Sequence, residues 1–431
     1  MIAKSWPRWA EMPEFHELPE GWSISPITDH IDIIAGQSPP SDTYNRKGEG
    51  MPFLQGCTEF GDEKPEIKFW CSSPSKIAPT NSTLMSVRAP VGELNRADQD
   101  YAIGRGLAAL IAKEIDSEFL YYGLHRWRQS FQRLGQGTTF EAITARQIRQ
   151  VIVALPNDVN EQRRIAAVLN LTDDAIAKAK AELDAARNLK RSLMDDVFEN
   201  GLEKNVKKKP YKIHRNYTAS VPIHWVTEPL GKSLQLVEYG TNAPSNEYQA
   251  GYPVIAIPQV VAPHLTLSDV PYAEINEIEA VALRLKADDV LLIRTNGNPE
   301  YIGKSTIVSE EVAGIHTIFA SYLIRVRTKQ EMLLGSYLNY FLASPLGRRQ
   351  AGAVANTSAG NNNIGARSIK QFRFPRPPKE EQKKIVDLLD GVEEQIITLS
   401  AKVTAHQDVK KSLLQNLLTG KIRIPEGVLN V

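Results

Sequence analysis

Cysteine is nearly absent from this sequence: Cys57 and Cys71 are the only two in 431 residues. They form no CxxC pair, and no histidine-rich cluster lies near them. That argues against a disulfide scaffold and against a zinc site, and for two reduced thiols in a cytoplasmic protein. No run approaches the ~18 apolar residues of a membrane-spanning helix. The first fifteen residues place Lys4, Pro7, Arg8 and Glu11 where a secretion signal needs an apolar stretch, so none is expected. A surplus of one charge is missing too. The formal net charge is +1, so any nucleic-acid binding must come from local clusters rather than a global field.

Catalytic signatures are also scarce. An amino-methyltransferase needs an Asn/Asp-Pro-Pro-aromatic element, and the Pro-Pro steps here are Ser38-Pro-Pro-Ser41 and Arg376-Pro-Pro-Lys379. Gly303-Lys304-Ser305 ends like a phosphate-binding loop, but Asn298 stands where the earlier glycine belongs and Gly297 comes one residue too soon. Asp62-Glu-Lys64 could pass for part of a nuclease core. No partner carboxylate is identifiable, and a solvated turn is the better reading.

What the sequence does contain is written twice. Residues 18–27, with Pro19 and Trp22, resemble 221–230, with Pro222 and Trp225. Pro40-Ser41 with Tyr44 is echoed by Pro244-Ser245 with Tyr248, and Arg146–Val151 parallels Arg367–Phe372. Glu161–Ile165 matches Glu381–Ile385, and Lys190–Met194 matches Lys410–Leu414, both 220 residues apart. A repeat of half the chain is far longer than the ~20–50 residues of a solenoid, so two homologous halves are expected.

Each half opens with short apolar runs bounded by Gly, Pro and Asn, which read as strands. They are His30–Ala35, Leu84–Val87 and Leu107–Ile111, then Tyr252–Ile257, Val290–Ile293 and Tyr322–Val326. Helix-period segments follow near 117–134 and 331–343. Each half closes on a long helix, the first with Asn160 as its expected cap. A 3-4 spaced stripe runs Ile165, Leu169, Thr172, Ile176, Ala179, Leu183, Ala186, Lys190, Leu193, Val197. Its counterpart runs Ile385, Leu389, Val392, Ile396, Leu399, Val403, His406, Lys410, Leu413, Leu417. Such a stripe is a coiled-coil seam, interrupted at equivalent positions by Lys190 and Lys410.

A helix of ~38 residues spans ~57 Å, whereas a 150-residue globule has a radius of gyration of only ~15 Å. After Gly201–Pro210, a short basic linker with Lys204 and Lys207–Lys209, the second globule must start where the first helix ends. The helices therefore pair antiparallel. The expected fold is α+β: two α/β-mixed domains separated by two long coiled-coil helices with pseudo-twofold symmetry. The expected boundaries are 1–155, first globule; 156–200, first helix; 201–375, linker and second globule; 376–424, second helix; 425–431, tail.

At this point the chain resembles a known family. The Leu-Pro-x-x-Trp start and the helix openings Leu155-Pro156 with Glu161-Gln162 and Ile165, then Pro377-Pro378 with Glu381-Gln382 and Ile385, are similar to specificity (S) subunits of type I restriction-modification enzymes. The segments Ile103-Gly-Arg-Gly-Leu107 and Gln136-Gly-Thr-Thr139 are similar to the family's first recognition domain. The resemblance implies two target-recognition domains, each reading one half of a split double-stranded DNA site. It also implies helices that dock two methyltransferase (M) subunits, with motor-nuclease (R) subunits completing the complex. S-adenosylmethionine, ATP and Mg would then belong to those partners, and this chain would hold no cofactor or metal and do no covalent chemistry. At ~3.4 Å per base pair, the helix length caps the half-site separation at roughly 17 base pairs.

Candidate DNA contacts are the loops rich in Arg, Asn, Gln, Gly and Thr, since Arg pairs with guanine edges and Asn or Gln with adenine. In the first half they are Arg88, Arg105, Gln136, Thr138, Thr139 and Arg146. In the second they are Arg294, Asn296, Asn298, Lys304, Ser358 and the run Asn361, Asn362, Asn363. Asn-rich surface turns, a core Trp127 flanked by Arg126 and Arg128, and a solvated Lys207–Lys209 linker are the plainer readings. The halves differ most at these segments, which points to an asymmetric bipartite target. Two alternatives stay open: a related system whose methyltransferase and nuclease share one partner, and a coiled-coil scaffold that binds no DNA.

Overall fold

The computed structural model describes residues 18–62, 64–135, 142–203, 205–214, 217–262, 265–358 and 361–427. The chain forms two compact units. The first runs to Lys180 and resumes at Ala401; the second is Ala181–Ser400.

Each unit is built on the same sheet. In the first, antiparallel strands lie in the order Ile31–Ala35, Leu107–Ala112, Thr83–Ser86, Leu94–Arg96. In the second the order is Leu234–Tyr239, Leu323–Thr328, Val290–Ile293, Ser305–Ile307. Four of the apolar runs read from sequence supply the central strands Thr83–Ser86, Leu107–Ala112, Val290–Ile293 and Leu323–Thr328, whose side chains are mostly buried, whereas Ile31–Ala35 is a half-exposed edge strand and Tyr252–Ile255 belongs to another sheet. A second sheet repeats as well. Met51–Leu54 runs parallel to Tyr101–Ile103, and Tyr252–Ile255 runs parallel to Ile318–Phe319.

The tyrosine echo needs a correction. The structurally matched residues are Asn45 and Asn246, not Tyr44 and Tyr248. Asn45 Oδ1 accepts from the backbone N–H of Lys47 and Glu49 at 2.8 and 3.2 Å. Asn246 Oδ1 accepts from Tyr248 and Ala250 at 3.1 and 3.3 Å. The loop is set by this Asn and by the following Gly50 or Gly251, both at positive φ. Tyr248, near the tip of this loop, is 91% exposed and takes no part in setting the turn through its side chain.

The long helices are Val159–Asn200 and Lys379–Leu417. Asp158, not Asn160, caps the first: its carboxylate accepts from the N–H of Asn160 and Glu161 at 2.9 and 3.2 Å. Asn160 already lies within the first turn, where its own N–H needs a partner. Each helix ends in a glycine at positive φ, Gly201 or Gly420. A Cβ on Gly420 would sit 2.3 Å from Pro19, and one on Gly201 3.1 Å from Pro222. The repeated Pro-x-x-Trp element is therefore the seat of a helix terminus in each unit.

All seam positions are buried or half-buried; Leu169, Ile176, Leu183 and Leu389 are at most 9% exposed, while Leu193, Ile396, Val403 and Leu413 are partly covered. Within the first unit, Ile165 and Leu169 share a core with Leu413 and Leu417. Within the second, Met194 and Val197 share one with Ile385 and Leu389. Rising numbers on one helix meet falling numbers on the other, so the pairing is antiparallel in both units. The two seam lysines sit in matching ion pairs. Lys410 reaches Asp173 at 2.5 Å, and Lys190 bonds Glu393.

The Glu-Gln pair that opens each helix has a specific task. Glu161 accepts from the Trp22 indole at 3.3 Å, and Glu381 from the Trp225 indole at 3.1 Å. Gln162, 1% exposed, donates to Pro156 O and accepts from Asp116 N, both at 2.8 Å. Gln382, fully buried, donates to Pro377 O at 3.0 Å and Met332 O at 2.9 Å and accepts from Leu334 N at 2.9 Å. Each glutamine pins its helix to the segment that precedes a shorter helix, Ser117–Gly135 or Gly335–Ala343. An apolar replacement would strand buried backbone groups at about 1–3 kcal/mol each.

The basic linker is shorter than read from sequence. Lys208 and Lys209 begin a strand, Lys208–His214, paired with Tyr217–Pro222. Lys209 donates to Trp225 O, and Tyr211, 1% exposed, anchors the strand. No helix among the described residues is long and apolar enough to cross a membrane.

Candidate nucleic-acid interface

Arg88, Arg105, Arg294 and the Asn run gather where the central strands of each unit end. In the first unit the chain leaves strand Thr83–Ser86 and bridges Arg88 to Ala142, with Ile143 N bonding Val87 O at 2.9 Å. In the second it leaves Val290–Ile293 and pairs Thr295 with Asn363, with Ile364 N bonding Arg294 O at 2.8 Å. The same backbone junction is thus built twice. It places the segments Arg294–Asn298 and Asn361–Asn363, read separately from sequence, in one small sheet. The first-half candidates Gln136, Thr138 and Thr139 precede Ala142 in the sequence. Those three residues lie outside the described residues.

In the first unit Arg88 and Arg105 come together. They line one cleft of about 240 Å³ with Ser38, Gln55, Gly56 and Thr58. Arg105 Nε donates to Ser38 Oγ at 3.3 Å. The loop carrying Gln55 and Thr58 is braced by Glu59, 6% exposed, whose carboxylate accepts from Gln55 N at 3.2 Å, Gly56 N at 3.0 Å and Thr58 Oγ1 at 2.8 Å. Cys57 also lines the cleft, and burial pushes its thiol above the ordinary range. Arg146 is exposed on the helical turn Ala145–Ile148 and is not part of this lining. Ser38, Gln55 and Thr58 were not singled out from the sequence. The available signal was glycine: Gly36, Gly56, Gly104 and Gly106 flank these turns. A Cβ on Gly36 would lie 2.2 Å from Gly104 O, so that pair marks a close crossing of backbones.

In the second unit the Asn run is not a loop. Asn361–Asn363 is the central strand between Thr295–Asn296 and Asn356–Ser358. Its backbone groups are paired on both sides, which overrides the weak strand propensity of asparagine. Successive positions alternate faces, so Asn362 and Asn363 present their amides to opposite sides. Ser358 lies on the outer strand. Arg294 is half-buried over the Tyr239 ring, 4.5 Å from its centroid, and donates to Ser321 O at 3.3 Å. Asn296 Oδ1 accepts from Asn298 N at 2.8 Å, and Asn298 Oδ1 from Glu300 N at 3.0 Å, so both shape the turn that follows. Arg348 holds the same turn from below, donating to Ile302 O and Glu300 O at 2.8 and 2.7 Å.

Lys304 stands apart, its ammonium 4.6 Å over the Tyr301 ring. The neighbouring Gly303 N–H bonds Ile293 O at 2.9 Å, so the phosphate-loop look-alike is a ladder position instead. Asp62 pairs with Lys180 at 2.9 Å, which holds its carboxyl below the usual range, and Lys64 pairs with Asp98 at 3.2 Å. Among the described residues no cluster of His, Cys, Asp and Glu is arranged to hold a metal.

Comparison with known proteins accords with this duplicated layout. The family model described as type I restriction modification DNA specificity domain matches twice, over residues 19–185 and 244–406. The protein named as the type I restriction enzyme MjaX specificity subunit of Methanocaldococcus jannaschii is 37% identical over 186 residues, 42% of this chain and 44% of that protein. The EcoKI specificity subunit of Escherichia coli K12 is 22% identical over 436 residues, 94% of this chain and 90% of its own length. The fold matches the crystal structure of a type I restriction-modification S subunit from M. genitalium, at a TM-score of 0.58 and 15% identity, covering 94% of this chain and 99% of that one. The two matches fall on the two units and together span most of the sequence: the chain belongs to the type I restriction-modification DNA specificity family.

Proposed function

We propose that this chain reads DNA sequence for a type I restriction-modification complex, one half of a bipartite target per unit. The observation that carries this reading is the junction built twice. The same strand ends and the same backbone pairings present Arg88 and Arg105 in one unit and Arg294 with the Asn sheet in the other. A scaffold of identical frames with different polar faces suits two different half-sites. The long helices each begin in one unit and end in the other, and so couple the two readers. They also offer the surface on which two methyltransferase subunits and, for cleavage, motor-nuclease subunits dock. Family kinship and a structural neighbour from work on complex assembly of the type I R-M system support such partners. Methyl transfer and cleavage, with S-adenosylmethionine, ATP and Mg, belong to those partners, and this chain does no covalent chemistry in the cytoplasmic complex.

The test is DNA binding by the chain with its methyltransferase partner at two salt concentrations. A sequence-specific fraction that persists at high salt is expected, because base contacts do not release counterions as phosphate contacts do. Binding that is equal on all sequences, or absent, refutes the reading.

A further inference from the structure

We propose that the cleft of the first unit is a guanine-reading site, with Arg105 and Arg88 as its specificity determinants and Ser38 and Glu59 as positioning residues. The proposal rests on the DNA-reading function above and names the base class read by one unit.

Three observations carry it. First, two guanidinium groups from separate loops line one cleft whose other polar side chains, among the described residues, are Ser38, Gln55 and Thr58, with no carboxylate among the described lining residues. Of the nearby acids, Glu59 is turned to the backbone and to Thr58, and Glu93 is paired with Arg128, so Glu59 shapes the wall without neutralising the cleft arginines. Second, Gly56 has an ordinary extended φ of −165°, and a Cβ there would meet nothing within 4 Å. The fold does not need glycine at this position, yet a side chain there would project into open space at the cleft. Third, the second unit lacks the pair. Gln37 N bonds Ile103 O as Thr241 N bonds Phe319 O, which matches Arg105 with Ser321. The bridges to Ala142 and Asn363 match Arg88 with Thr295. The arginine pair is therefore an addition to a shared frame rather than part of it.

The chemistry follows from the guanidinium fork. The N6 amino group of adenine repels a second donor, whereas guanine presents two acceptors, O6 and N7, to the major groove. Ser38 accepts from Arg105 Nε and so fixes the plane of the fork while leaving its terminal nitrogens for a ligand. A backbone phosphate offers similar acceptors, and the experiment separates the two.

The full chain is assembled with its methyltransferase partner and bound to DNA carrying its own target. Each guanine of the half-site that is indifferent to substitutions in the second unit is replaced in turn by 7-deazaguanine, which removes N7 and keeps base pairing. One position is expected to weaken wild-type binding by at least 5-fold. At that position Arg105→Ala and Arg105→Lys should weaken binding to ordinary DNA similarly and show no further loss with 7-deazaguanine. Gly56→Val, which fills the cleft on an unchanged frame, should act on the same half-site alone. If Arg105→Lys binds as wild type and Arg105→Ala weakens all sequences equally with a shallower salt slope, the cleft holds phosphate and the proposal is overturned. It is overturned too if no guanine of that half-site responds. Wild-type complex that shows no sequence preference at all fails the function reading instead, a result distinct from selective binding that ignores the cleft.

Discussion

His125 makes the first unit acid-sensitive. It lies on the helix Ser117–Gly135 with its ring edge-on to Tyr121, centroids 4.9 Å apart. Its Nε2 is cut off from solvent without a partner among the described residues. Burial opposes the charged form, the cations Lys410, Arg128 and Arg96 oppose it further, and Asp173 only partly offsets them. The pKa is pushed from 6.5 down to about 4. The unfolded chain therefore takes up a proton more readily than the folded one. The neutral ring contributes fully above pH 6.5, and its contribution is lost as the pH falls from there toward 4. The whole shift is worth about 3 kcal/mol, and about 2 kcal/mol of it is gone by pH 5. His125→Phe keeps a ring against Tyr121 and removes the titration. Urea unfolding at pH 7.5 and 5.0, followed where the buried Trp127 reports on the first unit, should show wild type losing about 2 kcal/mol more than the variant. Carboxylates elsewhere destabilise both proteins alike and cancel in the comparison. Equal losses, or an NMR titration of His125 near 6.5, would refute the reasoning.

The buried glutamine that pins the second helix is testable in the same way: Gln382→Leu should lower stability of the second unit by about 3 kcal/mol or more, since it leaves two carbonyls and the Leu334 N–H without partners. For the seam pair Lys190–Glu393, each 26–27% exposed, Lys190→Met alone should cost about 1–3 kcal/mol and the double change Lys190→Met, Glu393→Leu should recover most of it. Independent, additive losses would mean the two charges do not act as a pair. Adding one heptad to both long helices, after Ala179 and after Leu399, preserves the seam and lengthens each by ~10 Å. The preferred gap between half-sites should grow by about three base pairs with both half-site sequences retained; an active variant with the original gap would show that the helices do not set the spacing.

The parts legible in the sequence are those that periodicity and repetition report directly. The seam stripes, the central strands Val290–Ile293 and Leu107–Ala112, and the duplicated Trp and Glu-Gln elements follow from local patterns, most of them written in both halves. What was not legible depended on segments distant along the chain. Ser38, Gln55, Arg88 and Arg105 meet only because a parallel strand pair and an antiparallel sheet end at one place. The Asn run looked like a turn because asparagine favours turns, and only its pairing with Thr295–Asn296 makes it a strand. The helix cap was placed two residues late because Asp158 and Asn160 are both good caps, and the choice between them depends on where the preceding strand Ile152–Pro156 stops. The tyrosine echo misled because a side chain at an exposed tip can drift while the Asn that forms the turn stays.

The central claim is that each unit reads its own half of the target. Methylation mapping in cells that express this chain with its methyltransferase partner tests it most directly, by comparing wild type with a variant in which Asn361–Asn363 are replaced by alanine. The account predicts a bipartite motif in wild type, with relaxed bases on one side of the gap only in the variant. Relaxation on both sides, or a motif that does not depend on this chain, would contradict it.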